Sequence, residues 1–152
     1  MGAVVLNFIY MGKTLTSTRE LSVLISEDDA TGQFLVQQAV NAINQEIDLN
    51  LVFSCDQLLD FLLKNTLERD LNRQQLPDLI IANYNEPFRD LKIIAEIRKR
   101  EQHRNTPIYV FVNENISQTR EKFLEYGVTE VFEKPPTYLA LKKQIELLIG
   151  RL

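Results

Sequence analysis

The chain has 152 residues, 45% of them hydrophobic, the size and composition of one globular domain able to bury its own core. Lys and Arg number 17 against 21 Asp and Glu, and the net charge of -4 sets up no broad positive field for a nucleic acid or an anionic membrane. The single cysteine, Cys55, excludes an internal disulfide and a cysteine-built metal site and fits the reducing cytoplasm, where the protein is expected.

The first apolar piece, "AVVLNFIYM" at 3–11, is too short to cross a bilayer and has neither a basic residue before it nor a small-residue cleavage site after it. The following "GKTLTSTRE" is polar. Residues 1–20 are therefore expected to form an arm outside the domain, which runs from 21 to 152. The apolar start of the arm could pack on the body or on a second copy, so a homodimer is one expectation.

From residue 21 short β-branched runs alternate with longer stretches of helical spacing. Strands are predicted over 21–26, 49–54, 78–83, 107–112 and 128–133. Helices are predicted over 31–45 (Leu35, Ala39, Ile43), 56–68 (Leu58, Leu62), 88–100 (Leu91, Ile94, Ile97), 117–126 and 137–149 (Leu141, Ile145, Leu148). Regular β then α order predicts a parallel sheet covered by helices on both faces. The polar segment 68–75 reads as an elaborated surface turn or an extension of the second helix.

In an open parallel sheet the ligand crevice lies beyond the carboxyl ends of the strands. Those ends carry Glu27, Asp28 and Asp29; Asn83 and Asn85; Val112, Asn113 and Glu114; and Glu133 and Lys134. Adjacent carboxylates repel and call for water or a cation such as Mg2+, although Asp28 or Asp29 also suits the cap of the next helix. Pro135 could hold a cis bond that aims Lys134 inward.

Four motifs in order, "VLISEDD", "PDLIIANYNEP", "TPIYVFV" and "YGVTEVFEKPPT", make residues 21–150 resemble the receiver domain of bacterial response regulators. The resemblance implies a flavodoxin-like (CheY-like) doubly wound sheet of five parallel strands, order 2-1-3-4-5, with five helices. It also implies a set of site positions. Glu27 and Asp28 match the acidic pair that holds Mg2+ in the family, Asn85 the backbone carbonyl that joins it, and Lys134 the lysine that contacts the phosphoryl group. Asn83 falls on the phospho-acceptor aspartate, Val112 on the Ser or Thr that grips a phosphoryl oxygen, and Val131 on the switch aromatic, with Phe132 on the opposite face by strand alternation. A register slip of one would bring in Asn113 instead of Val112.

An amide cannot attack phosphorus as a carboxylate does and forms no acyl phosphate. It also removes a negative charge from the metal site, so Mg2+ is expected to bind weakly, the metal positions being vestigial. With acceptor, hydroxyl and switch aromatic replaced together, the expected function is a stand-alone, receiver-like protein of two-component phosphorelay signalling. It would work by protein docking without accepting phosphate, and would not be an enzyme. The partner would be a histidine kinase, a receiver or another regulator, met through residues 114–148. The long polar loop before the third strand is similar to that of stand-alone receivers that partner bacterial phytochromes.

Two rival readings stand beside this one. The first is a conventional receiver with another acceptor. The second is a small flavodoxin-like enzyme or ligand binder using Glu27, Asp28 and Lys134 for Mg2+ or an anion, against which count the missing glycine-rich loop and the missing nucleophile beside a base. Of the remaining reactive residues, His103 in "EQHRN" reads as a surface residue and Arg98, Lys99 and Arg100 as a solvated helix end. Cys55 reads as a small core residue.

Overall fold

A computed structural model of the chain describes residues 6–10, 13–17, 20–72, 76–84, 89–113 and 120–152. Among the described residues seven strands and five helices are formed: β1 Leu6–Tyr10, β2 Lys13–Ser17, β3 Leu21–Ser26, α1 Ala30–Asn41, β4 Ile47–Val52, α2 Cys55–Asn72, β5 Leu79–Asn83, α3 Arg89–Arg98, β6 Ile108–Val112, α4 Arg120–Glu125, β7 Glu130–Glu133 and α5 Tyr138–Gly150. A single 3-10 turn, Glu101–His103, follows α3.

The last five strands make one parallel sheet in the order β4-β3-β5-β6-β7, which is the expected 2-1-3-4-5 order, with the five expected helices. Strand alternation divides its side chains between two cores. Leu24, Ile80, Ala82, Val110 and Val131 face α2, α3 and α4, where they meet Leu58, Leu62, Ile94 and Phe123. Val23, Ile25, Leu79, Ile81, Tyr109 and Phe111 face α1 and α5, where they meet Val36, Ala39, Ile145 and Leu148. Because β3, β5 and β6 are covered on both faces, they are written as near-continuous apolar runs.

Part of the arm is structured. β1 and β2 pair antiparallel, Leu6 with Ser17 and Tyr10 with Lys13, in a two-stranded sheet separate from the five-stranded one. The strand predicted at 49–54 lies two residues earlier, because Leu21 pairs with Ile47 and Ser26 with Val52. Phe53 and Ser54 instead open α2: the Ser54 hydroxyl accepts from the Gln57 amide at 3.2 Å, and the Gln57 side chain accepts from the Phe53 amide at 2.6 Å. The first helix stops at Asn41, short of 45, and the second extends to Asn72 through part of the segment read as loop or helix extension.

Candidate functional site

Ile25 and Ile81 point toward α1 and α5, so two residues further along each strand path Glu27 and Asn83 emerge on that same side, at the carboxyl edge of the sheet. Lys134 follows β7, and its backbone amide continues the ladder by donating to the Val112 carbonyl at 2.7 Å. Three of the residues singled out from the sequence, Glu27, Asn83 and Lys134, are thereby brought into contact. The Lys134 peptide bond to Pro135 is trans.

Glu27 is only 2% exposed, and its carboxylate is saturated. Oε1 accepts from the Asp29 amide at 3.2 Å and from Lys134 Nζ at 3.2 Å; Oε2 accepts from Asn83 Nδ2 at 3.0 Å and lies 3.0 Å from Lys134 Nζ. Asn83 is 6% exposed and anchored at every branch but one. Its backbone amide donates to Ser26 Oγ at 3.2 Å, its carbonyl accepts from Cys55 Sγ at 3.7 Å, and Nδ2 also donates to the Ser26 carbonyl. Only Oδ1 is left, buried, with no partner among the described residues.

The amide therefore stands where it donates to Glu27, a contact that an ionised carboxylate at residue 83 could not make. Buried carboxylates side by side raise one another's proton affinity, whereas an amide and an ammonium neutralise and satisfy Glu27.

The fold implies Mg2+, and the residues do not fit it as a resident ion. Each Glu27 oxygen already takes two donors, so a cation would have to displace the Lys134 ammonium, and the Asn83 branch next to Glu27 is a donor. Asp28 is exposed, and Asn85 and Glu114 lie outside the described residues. Among the described residues no three His, Cys, Asp or Glu side chains gather as a metal site.

Val112 is buried at 5% exposure and Asn113 is exposed. Val131 sits in the core beneath α2, α3 and α4, while Phe132 lies on the other face against Tyr109 and Phe111, at ring distances of 5.9 and 6.4 Å. Asp29 caps α1, accepting from the Gly32 amide at 2.9 Å.

Two sequence readings are corrected. His103 is fully buried rather than a surface residue, and Arg98 is a clamp rather than a solvated helix end. The Arg98 guanidinium donates to the carbonyls of His103 (2.7 Å), Arg104 (3.1 Å), Thr106 (2.7 Å) and, twice, Gly127 (3.0 and 2.7 Å). This fork gathers the turn after α3 and the turn before β7, which draws His103 inside. Cys55 is buried as expected, and burial, reinforced by the Asp90 carboxylate, pushes its thiol up to about 12, so it stays protonated and unreactive.

Sequence reasoning missed Ser26, Gly32 and Gln33. A Cβ on Gly32 would lie 2.6 Å from Glu27 Cδ, so this glycine makes room for the carboxylate. Gln33 Nε2 donates to the carbonyls of Glu27 at 3.0 Å and Val52 at 3.2 Å, tying two strand ends to α1. A glycine inside the first turn of a helix, where alanine is favoured, was the available signal.

No protein-family model and no curated protein matches this chain. Solved structures do. A response regulator in red light signalling of R. palustris is 17% identical with a TM-score of 0.74, over 87% of this chain and 93% of that one. The phosphorylated cyanobacterial phytochrome response regulator RcpA is 18% identical with a TM-score of 0.70, over 86% and 91%. The chemotaxis response regulator CheY4 of Vibrio cholerae is 18% identical with a TM-score of 0.65, over 86% and 99%. The chain has the fold of response-regulator receiver domains.

Proposed function

We propose that this is a receiver-like module of two-component signalling that acts by docking on a protein partner and takes up no phosphoryl group. The observation that carries this is the hydrogen-bonded carboxamide of Asn83 at the acceptor position, donating to Glu27 while Lys134 is held by the same carboxylate. Residue 83 offers an amide where the family has its attacking carboxylate, and the lysine that would grip a phosphoryl oxygen is already paired with Glu27.

The module is not an enzyme in this reading, and Mg2+ is not needed for its fold or its contacts. Docking through residues 114–148 is supported by large apolar side chains left exposed there, Leu124 on α4 and Leu139 and Leu147 on α5; residues 114–119 lie outside the described set. A histidine kinase, a receiver or another regulator is the class of partner, and the red-light and phytochrome regulators among the fold neighbours favour one in light signalling.

The test is an amide NMR spectrum with and without Mg2+ and beryllofluoride, an anion that mimics a phosphoryl group by binding an acceptor carboxylate. The reading predicts one set of resonances that neither addition moves. A second set, centred on β6 and Lys134, would contradict it.

A further inference from the structure

Lys134 Nζ and Asn83 Nδ2 both meet Glu27 Oε2, each at 3.0 Å, so a single carboxylate oxygen bridges an amine and a carboxamide. Glu27 is 2% exposed and Asn83 6%, and the apolar side chains of Ile25, Ile81 and Phe111 line the same space. Lys134 enters this cluster from the solvent side, with 35% of its side chain exposed.

We infer that the cluster is a site of self-modification, at which the side chains of Lys134 and Asn83 join in an amide bond with Glu27 as the acid and base. Geometry comes first. A general base works at about 2.6–3.2 Å from the atom whose proton it takes. Glu27 lies 3.0 and 3.2 Å from the attacking nitrogen, Nζ, and 3.0 Å from the leaving nitrogen, Nδ2. An amine attacks only after losing a proton, and the carboxylate that receives it also touches the group that must be protonated to depart.

The step balances within the protein. Nζ attacks Cγ of Asn83; the Nζ–Cγ bond forms and the Cγ–Nδ2 bond breaks. Two of the three Nζ protons pass through Glu27 to Nδ2, which leaves as ammonium, and Glu27 ends as the carboxylate it was. No oxidant, metal or co-reactant enters.

The rate comes from the fold. Glu27 lies 56 residues before Asn83 and 107 before Lys134, so the three groups meet only in the folded chain, where proximity replaces collision. Burial of the carboxamide keeps out the water that would hydrolyse it instead. The product ties the ends of β5 and β7 together across β6. The inference stands apart from the docking reading, because the reaction needs neither a partner nor phosphate.

The experiment follows the intact mass of the natural full-length chain against the mass of its sequence, through prolonged incubation in native buffer and in urea, with tandem mass spectrometry of its peptides. The native sample is expected to lose the mass of one ammonia and to yield a cross-linked peptide joining residues 83 and 134, while the unfolded sample does neither. Lys134→Arg, which keeps the charge without the amine, should retain its full mass. Glu27→Gln should slow the loss by about 100-fold, the usual worth of a positioned acid–base group. The natural chain alone decides the matter even if a variant does not fold. An unchanged native mass, an ammonia loss without the 83–134 peptide, or the same cross-link in urea would overturn the proposal.

Discussion

Lys134 Nζ lies 3.0 Å from Oε2 and 3.2 Å from Oε1 of Glu27, a residue 107 positions earlier in the chain, and the carboxylate it neutralises is almost wholly buried. Removing the ammonium leaves that charge inside the protein with only amide donors. Breaking a buried pair costs about 3–5 kcal/mol, but the Lys134 side chain is 35% exposed and water can partly replace it, so Lys134→Met should destabilise by about 1–3 kcal/mol in urea unfolding. Glu27→Gln with Lys134→Met should cost less than the two single changes summed; strict additivity would show that the pair is not coupled.

Gly32→Ala reads out the same carboxylate from the other side. In an ordinary helical position the change gains about 1 kcal/mol in helix propensity. Here the new Cβ would meet Glu27 Cδ at 2.6 Å and Oε1 at 2.7 Å, and the carboxylate cannot swing away without dropping its donors, the Asp29 amide, Asn83 Nδ2 and Lys134 Nζ. The variant should be less stable than the natural protein by about 1–2 kcal/mol, the worth of one or two lost hydrogen bonds. Combination with Glu27→Asp, whose shorter side chain vacates the space, should recover part of the loss.

Arg98→Lys tests the clamp. A lysine keeps the charge but cannot place donors on four carbonyls at once, so stability should fall by about 2–3 kcal/mol. The amides of the turn around buried His103 should exchange faster with solvent in that variant. Gly127→Ala should also destabilise, because Gly127 has φ +97 and its added Cβ would come within 3.0 Å of Arg98 Cγ.

The Cys55 thiol gives a pH dependence. Its pKa rises from 9.0 to about 12, first through burial and then through the Asp90 charge. The folded state thus holds the proton more tightly than the unfolded state. This contribution to stability is complete below pH 9.0 and is lost as pH climbs toward 12. Urea unfolding from about pH 8 to about pH 11 should therefore show a steeper alkaline loss for the natural chain than for Cys55→Ala, while equal slopes would refute the shift.

How much of this was legible in the sequence depended on range. The ends of β3 were read correctly because both its faces are buried and the apolar run has definite limits. β4 was misplaced by two residues because Asp48 and Asn50 interrupt its run at the sheet edge, and only pairing with β3 sets its frame. The β1–β2 pair is not legible because the near-continuous apolar run through Leu6, Phe8, Ile9 and Tyr10 shows no strand alternation. His103 was misread because its neighbours in the chain are polar and its burial is imposed by Arg98. Glu27, Asn83 and Lys134 are grouped by the strand ends they follow, with no local spacing to join residues 107 apart, and the receiver resemblance then singles them out from the other residues there. The saturation of Glu27 and the place of Gly32 depend on side-chain geometry that no pattern encodes.

The most direct measurement of the central claim is intact mass after incubation with Mg2+ and acetyl phosphate, for the natural chain beside Asn83→Asp. The account predicts no phosphoryl addition to the natural chain, and uptake by the variant alone would show that the surrounding crevice still supports the chemistry. A phosphoryl group on the natural chain would contradict the account.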